Sequence, residues 1–137
     1  MVLNAKKIIC FLCLALALTT YAPSVQAASH QGPGSRSYER NLLRLSQILG
    51  AIHHLREVCN ANEGQLWRKK MVKLLETEAP SPQRRVLLVD KFNQGYRGHQ
   101  LTFPTCTKKA AARVKRFVKE GATLATAIAK ARENTAN

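Results

Sequence analysis

The chain has 137 residues, 22 Lys and Arg against 8 Asp and Glu, a formal net charge of +14 and four cysteines. That length suits one domain with one core. So large a basic excess points to an anionic partner or surface, and is silent about fold.

Lys6 and Lys7 precede the apolar run 8–18, and a polar stretch follows that ends in Val25-Gln26-Ala27. A positive start, an apolar run of that length and a small-residue end form the layout of a secretory signal peptide over 1–27. The run is shorter than the roughly 20 residues of a comfortable membrane span. An uncleaved anchor helix is the competing reading of such a segment. No small residue precedes Cys10 or Cys13 as a lipoprotein cleavage box requires, so no lipid anchor is expected. Cleavage after Ala27 would remove Lys6 and Lys7, take the charge from +14 to +12 and leave the rest of the chain in the periplasm.

Residues 28–37 are polar and rich in Gly and Ser, and read as a flexible leader. Residues 38–137 then read as a single helical domain, with no convincing alternating strand. The first helix, over 38–59, carries Leu42, Leu45, Ile48, Leu49, Ile52, Leu55 and Cys59 on one side at 100° per residue. Asn60-Ala61-Asn62 makes a turn. The second helix, over 63–78, points Trp67, Met71, Leu74 and Leu75 inward. Ala79-Pro80-Ser81-Pro82 breaks it, with Ser81 suited to cap a third helix and Pro82 to open it. The third helix carries Leu88, Val89, Phe92 and Tyr96 on one face and is expected to fray near Gly95 and Gly98. Phe103-Pro104-Thr105 turns the chain. The fourth helix, over 107–132, has a core face of Ala110, Val114, Phe117, Val118, Leu124, Ala125 and Ile128. Gly121 lies on that face, where it would admit a close neighbour at some cost in helix propensity. Four amphipathic helices with short connections predict a small, all-α, four-helix bundle-like domain.

Cys10 and Cys13 leave with the signal segment, so Cys59 and Cys106 remain. Two cysteines in an exported chain, each at a predicted helix end, read as one disulfide, with two unpaired buried thiols as the alternative. The C-x-x-C spacing of a redox pair is absent. Two separated cysteines without paired histidines do not make a four-ligand zinc set. Neither metal nor cofactor is expected.

Lys108, Lys109, Lys115, Arg116, Lys119 and Lys130 occupy an arc of about 120° opposite the core face of the fourth helix. Such a face is either simply solvated or an anion-binding surface. In an exported protein the anionic partners are lipid head groups, lipopolysaccharide, cell-wall polymer or an acidic envelope protein. Nucleic acid is not expected, because no aromatic residues interleave with the basic ones as a stacking surface requires.

Arg56, Glu78 and Arg85 fall on apolar faces, where a charge is costly unless paired. Pairing among these three, with Glu63 also available, predicts a buried network; the other reading is a polar binding pocket. His53 flanks the first stripe, with Glu57 one turn on, whereas His54 is expected to point away from the core. A His–Glu pair at this spacing serves acid–base chemistry in some sites and is a boundary pair in most. No nucleophile–base set, H-E-x-x-H or phosphate-binding glycine loop is present. Trp67, Phe92 and Tyr96 read as core at helical spacing, with a ligand cage as the alternative.

The run Leu49-Gly50-Ala51-Ile52-His53-His54-Leu55-Arg56-Glu57-Val58-Cys59 resembles the signature of a small family of uncharacterised exported proteins of alphaproteobacteria. The likeness continues through Trp67-Arg68, Met71, Leu74-Leu75, Glu78, Phe92-Asn93-Gln94-Gly95-Tyr96-Arg97 and Cys106-Thr107, and ends near Glu120-Gly121. It implies an envelope protein with a one-domain fold, and brings no catalytic residues.

Two functions follow as expectations. The favoured one is a non-enzymatic periplasmic protein that binds an anionic envelope component or envelope protein. The alternative is an enzyme acting on cell-wall polymer with His53, Glu57 or Glu63 in a polar pocket.

Overall fold

The computed structural model describes residues 33–136. The expected signal segment, with Cys10 and Cys13, and leader residues 28–32 lie outside the described residues. Four helices account for the domain: α1 Pro33–Val58, α2 Leu66–Glu78, α3 Pro82–Thr102 and α4 Lys108–Ala136. No strand occurs among the described residues.

Helix α1 starts five residues earlier than expected, inside the segment read as a leader. Pro33 has no amide hydrogen to leave unpaired, so a helix begins there without loss. Every residue from 48 to 55 is buried. Leu42, Ile48, Ile52 and Leu55 are essentially inaccessible. A helix buried on all sides takes the centre of a fold, and each of the other three packs against α1.

Pairs of side chains give the directions. Arg56 meets Glu63 and Tyr38 meets Glu78, so α2 runs antiparallel to α1. Glu39 meets Arg84 and His54 meets Phe103, so α3 runs parallel to it. Arg44 meets Glu120 and Cys59 is bonded to Cys106, so α4 is antiparallel again. The Cys59 and Cys106 Cα atoms are 4.8 Å apart. The expected disulfide therefore ties the end of α1 to the start of α4.

The connections have local causes. Asn60 and Asn62 at φ 50° and Gly64 at φ 52° hold the α1–α2 link in the left-handed region, which Asn and Gly enter most readily. That delays α2 to Leu66, three residues after the expected start. Ser81 caps α3 as expected, its hydroxyl accepting the Arg84 amide at 3.3 Å, with Pro82 as first helical residue. Thr107 caps α4 by accepting the Ala110 amide at 3.1 Å.

Three expectations are corrected. Helix α3 does not fray at Gly95 and Gly98 but continues to Thr102, because Gly95 is buried against α1 rather than left in solvent. Val118 and Ala125 are not core residues: Val118 is 44% exposed and both line a groove. Gly121 does not enforce a close approach, since a Cβ there would meet Ile48 and Leu45 at ordinary contact distances of 3.5 and 3.6 Å.

Candidate functional site

Three features of the surface carry chemistry: the outer face of α4, a polar pocket at the α1–α2 turn and an apolar groove between α2 and α4.

Lys108, Lys109, Lys115, Arg116, Lys119 and Lys130 are all exposed. Opposite them Ala110, Val114, Phe117 and Ile128 are buried, so packing against α1 sets which way the basic arc faces. Among the described residues none of the six forms an ion pair. The nearest acid in sequence, Glu120, is held by Arg44 through Nε at 2.7 Å and a second nitrogen at 3.1 Å. Arg44 and Arg113 also lie over the Phe117 ring, 5.7 and 5.6 Å from its centroid.

The polar pocket encloses about 170 Å³ and brings together His53, Arg56, Glu57, Glu63 and Trp67. Glu63 lies in the turn before α2, where its carboxylate takes a two-pronged grip from Arg56, with Nε at 3.0 Å and a terminal nitrogen on the other oxygen. The Trp67 indole donates to the same carboxylate at 2.6 Å. The Arg56 hydrogen bond is the main cause that holds the Glu63 carboxyl below the usual range; burial opposes it, and the Trp67 hydrogen bond and the Arg56 charge add to the lowering. Glu57 accepts the Tyr96 hydroxyl at 3.0 Å and stands 3.4 Å from His53 Nε2. His53 is 4% exposed, and its Nδ1 is buried without a hydrogen-bond partner. Burial pushes its pKa down, only partly opposed by Glu57.

Of the two acids open to Arg56 the structure takes Glu63, and Arg56, Glu78 and Arg85 do not join in one network. The charges split between opposite ends of α1. At the far end from Arg56, Glu78 accepts the Tyr38 hydroxyl at 2.9 and 2.8 Å and lies 3.5 Å from Arg84. Burial, then the hydrogen bond to Glu78, push the Tyr38 pKa up to about 12. Arg84 also binds Glu39 at 2.8 Å. Arg85 is exposed, whereas Arg84 one residue earlier reaches Glu39 of α1.

His54 is a second correction. Instead of pointing away it is 4% exposed, with Nε2 2.9 Å from the Phe103 carbonyl and its ring edge-on to Tyr96. The end of α3 covers a side of α1 that the periodicity of α1 alone leaves open. His99 was also not anticipated. Its Nδ1 lies 2.9 Å from the Gly95 carbonyl, and its ring stacks on Phe103 and meets Phe117 edge-on. Burial lowers its pKa too.

The groove encloses about 410 Å³. Leu45, Ile48, Leu49 and Ile52 of α1 form its floor, and Trp67 and Leu74 form the α2 wall. Val118, Gly121, Ala122, Ala125 and Ala129 form the α4 wall, with Lys70, Lys73, Thr77, Glu78 and Arg132 also lining it. The legible signal was the small, apolar flank of α4, which is wider than its core contact requires.

Among the described residues no group of three or more His, Cys, Asp or Glu is arranged to hold a metal ion, and no helix is long and apolar enough to cross a membrane. Comparison with curated proteins and with solved structures gives no match to this chain. A family model does match, over residues 37–131, which spans all four helices. The chain belongs to the family described as "Protein of unknown function (DUF2385)".

Proposed function

We propose that this chain is an exported periplasmic protein without enzymatic activity, which binds an anionic envelope component through the outer face of α4. The observation that carries the reading is the basic arc: six exposed cations on one helix face, none in an ion pair among the described residues. A cation already paired has little attraction left for a second anion; these six keep theirs. The partner chemistry is a phosphate- or carboxylate-bearing surface such as lipid head groups, lipopolysaccharide or cell-wall polymer. The signal-peptide layout of residues 1–27 supports this reading, since export would bring the protein to such surfaces.

Binding to vesicles containing anionic phospholipid, measured by co-sedimentation across a salt series, tests this. Each Lys or Arg near an anionic leaflet contributes about 1 kcal/mol. Lys115→Glu, Arg116→Glu and Lys119→Glu together are therefore expected to weaken binding at least about a hundredfold without changing the melting temperature. Salt should act in the same direction, because exposed charges are screened over about 10 Å at 0.1 M. Binding indifferent to both salt and charge reversal removes the electrostatic reading.

The polar pocket favours a second reading, an enzyme of cell-wall polymer using His53, Glu57 or Glu63, since His53 and two acids do converge there. What weakens it is that both carboxylates are already engaged, Glu63 by Arg56 and Trp67 and Glu57 by Tyr96. Turnover of isolated cell-wall polymer that is lost in Glu57→Gln would establish this reading over the first.

A further inference from the structure

The groove between α2 and α4 has no part in the docking just proposed. It shares no residue with the basic arc and has the opposite character. α2 and α4 are each held by α1 and do not close over it, so an apolar space stays open between their walls above the buried floor. On the α4 wall Gly121, Ala122, Ala125 and Ala129 are small where larger side chains would fill the space. A volume of about 410 Å³ falls within the roughly 300–1,000 Å³ of small-molecule sites, which are apolar with a few placed polar groups. At about 30 Å³ per water-sized group it has room for one alkyl chain rather than two.

The charges at its margin choose the other end of the occupant. Four charged residues line the groove: Lys70, Lys73, Arg132 and Glu78. The Glu78 carboxylate is occupied by Tyr38 and Arg84 and is almost wholly buried. Lys70 lies over the Trp67 ring, 5.7 Å from its centroid. Lys73 pairs only with Glu76 at 3.6 Å, an exposed contact of the kind worth little. An occupant that satisfies this lining is apolar along its length and negative at one end. We infer that the groove binds a long-chain fatty acid, its alkyl chain between Trp67 and Leu74 on one side and Val118 and Ala125 on the other, and its carboxylate against Lys73 and Arg132.

The test titrates decanoate, dodecanoate and tetradecanoate, each below its aggregation concentration, into the protein as recovered from cells. Binding is read by calorimetry and by emission of Trp67, the single tryptophan of the chain, which lies in the groove wall. One saturable site is expected, with affinity rising about three- to fourfold per added methylene. Ala125→Phe should lose at least tenfold, at an unchanged melting temperature because the position is exposed. Ala129→Phe on the same wall gives an independent reading should Ala125→Phe disturb the fold. Lys73→Gln with Arg132→Gln should weaken the fatty acids but not the corresponding alcohols. The vesicle-docking variant Lys115→Glu/Arg116→Glu/Lys119→Glu should bind fatty acid as the parent does, so the two proposals fail separately. Absence of saturable binding, affinity independent of chain length, or undiminished binding by both groove-filling variants overturns the inference. Equal affinity for alkyl trimethylammonium ions overturns the assignment of the charged end.

Discussion

Gly50 of α1 and Gly95 of α3 sit where the two backbones come into contact. A Cβ on Gly50 would lie 1.9 Å from the Phe92 carbonyl oxygen, and one on Gly95 would lie 1.9 Å from that of Gln47. Each glycine thus leaves room for a carbonyl of the other helix. The pair lets α3 settle onto α1 closely enough to bury Phe92 and Leu88, and to bring Tyr96 against His53 and His54.

Gly50→Ala and Gly95→Ala are each expected to destabilise the fold by about 3 kcal/mol or more, since the obstructing atoms are backbone and the helices must separate to admit a methyl. Gly98→Ala meets nothing within 4 Å and should stabilise by up to about 1 kcal/mol through helix propensity. Gly121→Ala, with only ordinary contacts, should behave like Gly98→Ala. Urea denaturation of the four variants decides; equal effects at all four positions would refute the close-contact account.

Reducing the Cys59–Cys106 bond opens a loop with a sequence separation of 47 residues. The chain-entropy model puts its contribution at about 4 kcal/mol, and a loss of about 2–4 kcal/mol is expected in Cys59→Ser/Cys106→Ser. Intact mass with and without reductant checks the bond, and denaturant melts check its energy. A variant as stable as the parent contradicts the prediction.

The two buried-acid clusters should differ in how much they matter. The Arg56 and Glu63 side chains are 36% and 24% exposed, and Trp67 still donates to Glu63 when Arg56 is gone. Arg56→Ala is therefore expected to cost about 1–2 kcal/mol, the pair being partly solvated and Glu63 keeping its Trp67 donor. The Glu78 side chain is only 4% exposed. Removing its hydroxyl donor by Tyr38→Phe should cost about 2–3 kcal/mol, the range for a hydrogen bond to a buried charge. Finding Arg56→Ala the more damaging of the two would reverse this ordering.

Stability should fall as the pH drops below about 6.5. His53 and His99 both have pKa values lowered from 6.5 by burial. The unfolded chain therefore binds protons that the folded chain refuses, and unfolding gains as pH falls through this window. The groups facing His53 are Glu57, which opposes the shift, and Arg68 and His54, which add to it. Arg113, His54 and Arg44 act on His99 in the same lowering sense. Glu63, with its depressed pKa, loses its stabilisation only at lower pH, below the ordinary carboxylate value of about 4.3. Thermal melts from pH 7.5 to 5 should show a decline that His53→Leu, which also removes the orphaned Nδ1, makes shallower. A melting temperature flat over that interval argues against neutral burial of the two histidines.

Local signals already determine much of this protein. The 100° spacing of Leu42, Leu45, Ile48, Leu49, Ile52 and Leu55 marks α1 as a core helix. Ser81-Pro82 starts α3 because a cap and a fixed φ act within one turn. The basic arc of α4 follows from periodicity alone, since its opposite face is the only one able to pack. Cys59 and Cys106 are the two cysteines outside the signal-like segment, and the described structure joins them. The remaining decisions belong to tertiary structure, because they depend on which helix lies over which. Periodicity gives one helix one apolar face and cannot show that α1 is covered on every side, so His54 read as exposed. Gly95 read as a weak point because its value comes from a carbonyl on another helix. Arg56 found Glu63 rather than Glu78 because the Asn60–Gly64 turn folds the first acid back and the length of α2 carries the second to the opposite end. The groove exists because α2 and α4 both rest on α1 and stop short of each other, a distance that no local pattern in either helix encodes.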